Sequence, residues 1–98
     1  MQYVRARQVL RDKEMRPDGV VVERVVYELP HRSRDRPHGM KYRLYCGKDG
    51  RCIVRYDNEG GKGDHVHYGS EEQVYRFVSL EQLLVDFDRD VKRLLGGI

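Results

Sequence analysis

The segment from Arg55 to Ser70, RYDNEGGKGDHVHYGS, concentrates side chains that can transfer protons or bind anions and metals. It carries two histidines, three carboxylates, an amide and a lysine, set among glycines at 60, 61 and 63: His65, His67, Asp57, Glu59, Asp64, Asn58 and Lys62. We therefore take this segment as the candidate functional site and consider the chemistry that each subset of residues supports.

The glycine run suits a phosphate, because the backbone N–H groups of Gly60–Gly63 and the ammonium of Lys62 are anion-binding groups. The run lacks the GxxxxGK[ST] spacing of a P-loop, so the sequence does not support nucleotide hydrolysis.

The histidines suit acid–base chemistry. If HVH is extended, the rings of His65 and His67 project to one side, since side chains alternate along a strand. Such a pair can act as base and acid on the 2′-hydroxyl and the leaving 5′-oxygen of RNA. Lys62 or Arg55 would then stabilise the extra negative charge on phosphorus, without a metal.

Two alternatives remain open for the same residues. His65 and His67 with Asp57 or Asp64 match a three-ligand divalent metal site with open positions. In the second alternative Asp57 and Asn58 only cap a turn and the histidines only bond to their neighbours.

The flanking elements are predicted to be strands. Pro17–Gly19 is a turn signal, and pairing Arg16 with Val20 places opposite charges across from each other, Lys13 with Glu23 and Asp12 with Arg24. A helix over residues 6–15 is the alternative by intrinsic propensity.

A second hairpin follows, because residues 40–46 and 52–56 alternate between apolar and polar around the turn Lys48–Gly50. A three-residue loop pairs Gly47 with Arg51 and aligns the apolar rows: Cys46 with Cys52, Leu44 with Val54 and Tyr42 with Tyr56. We expect both cysteines to be free core thiols. The opposite face would present Lys41, Arg43, Arg55 and Tyr45, either as a platform for phosphates and stacked bases or as an ordinary solvated surface.

The C-terminal third is predicted to contain a strand, QVYRFV at 73–78, and then a helix capped by Ser79 with Gln82 completing a capping box. The helix ends at Gly96 and Gly97 and carries one apolar stripe: Leu80, Leu83, Leu84, Phe87, Val91, Leu94 and Leu95. The predicted fold class is α+β, an antiparallel sheet of two N-terminal hairpins plus a later strand, with a C-terminal amphipathic helix packed on one face.

Composition limits the alternatives. Ninety-eight residues, 39% hydrophobic and 36% charged, are expected to form a single domain spanning 1–98. The sequence has no membrane-length apolar run and no signal-peptide pattern, so we expect a cytoplasmic protein. Residues 1–56 carry a net charge of +7 and residues 57–98 a net −4, which indicates one polarised face. Pro30–Gly39 is predicted to be an exposed, basic, mobile loop.

The string KYRLYCGKDGRCIVRYDNEGGKGDHVHYG, followed by YRFVSLEQLLVDFDRDV, resembles the TumE family of bacterial and archaeal toxin–antitoxin proteins. The resemblance spans essentially the whole chain and is tightest over Lys41–Val91. The family block RYDN…GKGDHxH is present in full: Arg55, Tyr56, Asp57, Asn58, Gly61, Lys62, Gly63, Asp64, His65 and His67.

The resemblance implies a small toxin encoded beside an antitoxin that usually carries a helix-turn-helix, and ribonuclease action on cellular RNA is commonly supposed for such toxins. We expect an endoribonuclease with His65 and His67 as acid and base, Lys62 as phosphate binder, and Asp57 or Asp64 orienting a histidine. The expected nucleic-acid contacts are Lys41, Arg43, Arg55, Tyr45, Asn58, Gly61 and Gly63. The alternative is a non-catalytic module that binds nucleic acid or the antitoxin on its basic sheet face. The acidic helix face offers a route to a homodimer or to a basic tail of the antitoxin.

Overall fold

Six strands and one helix follow one another in the computed structural model, which describes residues 6–59 and 61–96. They are β1 (Arg7–Met15), β2 (Val20–Glu28), β3 (Met40–Lys48), β4 (Arg51–Asp57), β5 (His65–Tyr68), β6 (Glu71–Val74) and α1 (Leu80–Leu94). The strands form an antiparallel sheet in chain order, and α1 packs on one face of it against β4. The predicted α+β class is confirmed, with six strands where the sequence predicted five.

The first hairpin has the predicted register. Asp12 pairs with Arg24 and Lys13 with Glu23, and the Arg24 guanidinium contacts the Asp12 carboxylate at 3.1 Å. The Arg16 N–H donates to the Val20 carbonyl at 2.8 Å and closes the loop. Residues 7–15 therefore form a strand, and the helical alternative for this segment is wrong.

The predicted register of the second hairpin is wrong. Its turn has two residues, Asp49 and Gly50, and both adopt positive φ (51° and 79°), as a type I′ turn requires. Lys48 therefore pairs with Arg51, and a bulge in β4 then shifts the pairing. Leu44 lies opposite Tyr56, and Cys46 lies opposite Val54 rather than Cys52. A two-residue loop without a bulge would place apolar residues of β3 opposite polar residues of β4. The extra residue in the bulge brings the apolar residues of the two strands opposite each other again. Both cysteines are free, as predicted, but only Cys46 lies in the core. Cys52, predicted to be a core thiol, is half-buried, because the register pairs it with Gly47 outside the buried apolar row.

The core lies between α1 and the face of the sheet that carries the apolar rows. Its buried members come from β2 to β5 and from one side of the helix: Val20, Val22, Val26, Tyr42, Leu44, Cys46, Val54, Tyr56, Val66, Leu83, Phe87 and Val91. Most of the predicted helical stripe packs there, although Leu94 is 37% exposed.

The helix begins as predicted, with the Ser79 hydroxyl accepting from the Gln82 N–H at 3.1 Å. A complete capping box would also have the Gln82 side chain bonded to the backbone N–H of Ser79. The Gln82 side chain instead donates to Asp86 at 2.8 Å, so only the Ser79 half of the predicted capping box forms. Gly96 follows the helix with φ +86°, and Gly97 lies outside the described residues.

A buried carboxylate joins the helix to the sheet. Asp90 is 2% exposed and accepts hydrogen bonds from the hydroxyls of Tyr56 (2.6 Å) and Tyr68 (2.7 Å) and from Arg93 (3.1 Å). Burial alone would raise the pKa of Asp90, but these hydrogen bonds outweigh it and lower the pKa below its ordinary value. The apolar helical pattern gave no indication of this network.

The predicted strand over 73–78 is wrong in its bounds. The strand is Glu71–Val74, and residues 75–79 form an irregular segment whose aromatic side chains anchor it. The Tyr75 hydroxyl donates to Asp86 at 2.6 Å, and Phe77 stacks on the ring of His38 with centroids 3.9 Å apart. These contacts tie the segment after β6 to α1 and to the Pro30–Gly39 loop.

The Pro30–Gly39 loop is exposed over residues 30–35, as predicted, but not over its last part. Arg36 donates to the backbone carbonyl of Asn58 at 3.0 Å, and His38 contacts Asp64 at 2.9 Å. The end of this basic loop is therefore docked against the segment that leads into β5.

Candidate active site

Strand alternation places the candidate residues on the face of the sheet that lacks the helix. In β4 and β5, Tyr56 and Val66 point into the core. Their neighbours point the other way and pair across the strands, Asp57 with His65 and Arg55 with His67. The prediction that both imidazoles project to one side is confirmed.

These side chains line an open cleft of about 420 Å³. Its walls come from β4, β5, β6 and the connection between β4 and β5: Arg55, Asp57, Glu59, Lys62, His65, His67 and Glu72. The cleft brings together four of the five predicted catalytic residues, all except Asp64. It also contains Glu59, to which the sequence analysis gave no role, and Glu72, which lay outside the candidate segment.

His65 has a defined orientation in the cleft. Its Nδ1 lies 2.9 Å from the Gly63 carbonyl, which only accepts, so Nδ1 carries the proton and Nε2 is the basic nitrogen of the neutral ring. Nε2 lies 3.5 Å from Oε1 of Glu72. The ring therefore has one nitrogen fixed by backbone and one nitrogen turned toward the cleft, as a general base requires.

Glu72 lies between the two histidines, with its second oxygen 3.8 Å from Nδ1 of His67. The side chains of His65 and His67 are only 14% and 17% exposed, whereas Glu72 is 40% exposed. A carboxylate in this position lies within ion-pair distance of both rings.

The cations of the cleft come from Arg55 and Lys62. The Arg55 Nε donates to Asp57 at 2.7 Å, which orients the guanidinium beside the histidine row. Lys62 is exposed on the loop between Gly61 and Gly63, both of which adopt positive φ (70° and 81°). These glycines permit the loop to bring Lys62 over the cleft, a conformation that residues with a Cβ adopt with difficulty.

Asp64 points away from the cleft. Its carboxylate accepts from the hydroxyl of Tyr42 at 2.6 Å and contacts Nε2 of His38 at 2.9 Å. Tyr42 belongs to the buried row on the helix side of the sheet, where burial and the bond to Asp64 raise the pKa of its hydroxyl. Asp64 thus fixes the backbone immediately before His65 and makes no contact with either cleft histidine.

Asn58, predicted as a nucleic-acid contact, is 1% exposed. Its side chain accepts from the Tyr42 N–H at 3.1 Å and donates to the Met40 carbonyl at 2.8 Å. It ties the end of β4 to the start of β3, so it has no surface to offer a ligand in this structure.

The remaining predicted contacts share the outer face of the sheet with the cleft. Lys41 is exposed, and the Arg43 guanidinium lies 4.9 Å from the centre of the Tyr45 ring and 3.0 Å from Glu23. Tyr45 pairs with Arg55, so this cationic and aromatic patch runs directly into the cleft.

The family model described as toxin TumE matches residues 2–95, nearly the whole chain. The chain belongs to the TumE family. The resemblance stated from the RYDN…GKGDHxH block is confirmed, and the chain is accordingly the toxin component of a toxin–antitoxin system, with an antitoxin as partner. No curated protein and no solved structure gives a significant match. In the described part of this TumE chain, no helix is long and apolar enough to span a membrane.

Metal ligation is not favoured by the geometry of this TumE site. Within residues 6–59 and 61–96, no three His, Cys, Asp or Glu side chains are arranged to hold one metal ion. Of the predicted ligands, Asp64 lies with His38 away from the cleft, and Asp57 lines the cleft with both histidines but is paired with Arg55.

Sequence reasoning missed Glu72 and His38. Gly69-Ser70 is a two-residue hairpin signal that places Tyr68 opposite Glu71 and therefore His67 opposite Glu72, so this neighbour was open to prediction. His38 sits in a loop with no periodicity, and the sequence holds no signal for its contact with Asp64.

Proposed function

We propose that this TumE-family chain is an endoribonuclease toxin that cleaves RNA in the cleft without a metal ion. The observation that carries the proposal is the placement of two imidazoles side by side on β5, in one open cleft with Lys62 and Arg55. A base, an acid and a cation are the groups that transesterification at a phosphodiester needs.

The proposed step begins at His65. Its Nε2 takes the proton of the 2′-hydroxyl, the 2′-oxygen bonds to phosphorus, and the bond from phosphorus to the 5′-oxygen breaks. His67, protonated beside Glu72, gives its proton to the leaving 5′-oxygen. The products are a 2′,3′-cyclic phosphate and a 5′-hydroxyl, and the pair of rings has exchanged its protonation states.

Lys62 and Arg55 stabilise the charge that develops on the phosphoryl oxygens. The contact of Arg55 with Asp57 uses Nε, and the residues described in the structure offer no acceptor to its Nη nitrogens. Those donors suit the planar, two-point recognition of a phosphate.

The test uses purified protein and a defined RNA, with and without a chelator, for wild type, His65→Ala and His67→Ala. Each substitution is expected to lower the cleavage rate by about 10²–10⁴-fold while the protein stays folded. His31→Ala is the matched control, since His31 lies exposed in the Pro30–Gly39 loop. Wild-type products should end in a 2′,3′-cyclic phosphate.

In cells, His65→Ala and His67→Ala should each relieve growth arrest. If both variants remain toxic, the proposal that the chain is an enzyme is wrong. Loss of wild-type cleavage on adding the chelator would show that the chemistry needs a metal.

The cationic and aromatic patch around Lys41, Arg43 and Tyr45 supports a second candidate, a non-catalytic module that binds RNA or the antitoxin on its outer sheet face. For that candidate, Lys41→Gln and Arg43→Gln would impair toxicity more than either histidine change. RNA binding would weaken with salt by about 0.7 log units per log unit of salt for each phosphate neutralised. A helix-turn-helix in the antitoxin, and a homodimer of this chain, stay predictions.

A further inference from the structure

A second, smaller cavity of about 110 Å³ lies on the same outer face of the sheet as the cleft. Val25 and Tyr27 of β2 and Lys41 and Arg43 of β3 line it. Glu59, which follows β4, lines both this cavity and the cleft. The two cavities are therefore neighbours that share one wall.

Strand pairing fixes the direction from one cavity to the other. Val25 pairs with Arg43, Arg43 with Asp57, and Asp57 with His65, so these four residues form one row across β2 to β5. Neighbouring strands lie about 4.8 Å apart, which puts Arg43 about 10 Å and Val25 about 14 Å from His65 along the row. That span corresponds to about three or four stacked nucleotides at 3.4 Å each.

The smaller cavity has the chemistry of a nucleobase site. An apolar wall from Val25 and the ring of Tyr27 offer a surface on which a base can stack, and the cations of Lys41 and Arg43 stand at its rim. Lys41 is exposed and forms no salt bridge to any described residue, whereas Arg43 is held by Glu23 at 3.0 Å. Lys41 is thus the cation available to a phosphate.

We propose that single-stranded RNA crosses the strands on this face, with the reacting phosphate in the cleft and the base of a nucleotide about three or four positions away in the smaller cavity, the base pocket. This inference rests on the proposed function, since it extends the same site. Single strands fit because a base enters the pocket only when it is unpaired and unstacked from its neighbours. The contact to a base face tolerates any sequence, so the pocket supplies affinity and position more than base choice.

The experiment compares two substrates, a dinucleotide that fills only the cleft and an octanucleotide long enough to reach the base pocket. The readout is the ratio of kcat/KM for octanucleotide over dinucleotide. Tyr27→Ala is expected to lower this ratio by about 5- to 150-fold, the loss of one stacked base. Tyr27→Phe retains the ring and should keep most of the ratio.

Lys41→Gln tests the pocket without removing a packed side chain, and it too should lower the ratio. Lys92→Gln is the control, because Lys92 is exposed on α1, on the other side of the sheet. If wild type cleaves both substrates and neither Tyr27→Ala nor Lys41→Gln changes the ratio, the base pocket proposal is overturned.

If wild type cleaves neither substrate, the proposed function fails, and the pocket is then judged by binding of a labelled octanucleotide. Weaker binding by Tyr27→Ala and Lys41→Gln supports an RNA site that does not act in catalysis. Unchanged RNA binding with weaker antitoxin binding assigns the cavity to a protein partner and overturns the inference.

Discussion

The substitution Asp64→Asn tests whether Asp64 takes part in the chemistry or only positions the neighbouring His65. The Asp64 carboxylate has two partners, the Tyr42 hydroxyl at 2.6 Å and His38 Nε2 at 2.9 Å. The Met40 N–H donates to Nδ1 of His38 at 3.1 Å, so the neutral ring carries its proton on Nε2 and donates to Asp64. Both partners are donors, and a carboxylate is the acceptor that suits them.

Asparagine has the same shape but offers one oxygen and one NH₂ group. Tyr42 and His38 both donate to Oδ2 of Asp64, so an amide oxygen in its place keeps both hydrogen bonds. Both bonds lose their charged acceptor, and the NH₂ group then lies about 3.2 Å from Nε2 of His38, another donor. A hydrogen bond to a charged group contributes about 1.5–3 kcal/mol and one to a neutral group about 0.5–1.5 kcal/mol. The Asp64 side chain is 11% exposed, so solvent relieves little of this. We expect a loss of about 2 kcal/mol, or about 8–16 °C in Tm.

Urea and thermal unfolding measure the loss, with Asp12→Asn as the control. The Asp12 side chain is 53% exposed, and its pair with Arg24 contributes only about 0–1 kcal/mol. Tyr42→Phe combined with Asp64→Asn removes one of the two donors, so the pair of changes should cost less than their sum. Below its unfolding transition, Asp64→Asn should retain part of its cleavage activity, with the pH profile displaced because His65 is less well held.

An Asp64→Asn protein that is as stable as wild type but cleaves no RNA would refute this reasoning. It would give the carboxylate a catalytic function beyond its contribution to stability, whereas the sequence analysis expected Asp57 or Asp64 to orient a histidine.

Three further outcomes concern the scaffold. Asp90→Asn should cost about 2–4 kcal/mol at pH 7 in urea unfolding, because its hydrogen bonds are charge-assisted. Burial would raise the pKa of Asp90, but hydrogen bonds from two tyrosine hydroxyls and a guanidinium lower it. The stabilisation by the ionised carboxylate is therefore present above about pH 4 and is lost on further acidification. At pH 3 the free energies of unfolding of wild type and Asp90→Asn should differ less than at pH 7. Ser79→Ala should cost about 1 kcal/mol in thermal unfolding and leave the cleavage rate unchanged. In Gly47→Ala the new Cβ would overlap Tyr45 and approach the Arg51 carbonyl to 2.8 Å, costing about 1–3 kcal/mol, with partial recovery in a Tyr45→Ala background.

The first hairpin was predictable because its charges distinguish one register from the next. Asp12 and Lys13 face Arg24 and Glu23 in the observed pairing, and a slip of one residue would set like charges opposite each other. Charge repulsion therefore disfavours the shifted register, and this could be recognised from the sequence alone. The structure has the register that pairs opposite charges.

The second hairpin carries no such penalty. Its apolar residues repeat every second position, so a register shifted by two residues keeps Leu44 and Cys46 on the buried face and differs only in their partners. The observed loop, Asp49 and Gly50, is one residue shorter than the predicted one, and the bulge in β4 contains one residue more than regular pairing needs. The two differences compensate, so the alternation of apolar residues does not reveal them.

The same distinction governs the site. His65 and His67 converge because a period of two follows from the backbone of any strand, and this is readable from HVH. Asp64 is adjacent in sequence, yet it lies just before β5 and turns to His38, a residue 26 positions away. Contacts made by loops depend on tertiary packing, which no local pattern encodes.

The charges of the cleft bear on how the two proposed functions relate. Arg55 and Lys62 face three carboxylates, Asp57, Glu59 and Glu72, so the lining has a formal charge of −1 when both histidines are neutral. One neutral and one protonated ring, the state that acid–base cleavage requires, bring the cleft to zero. A cleft of zero charge does not attract a polyanion, so the attraction must come from the cations of the neighbouring base pocket and outer sheet face. Under the proposed function, adjacent parts of one surface carry binding and cleavage, so changes in the pocket should act on KM and changes in the histidines on kcat.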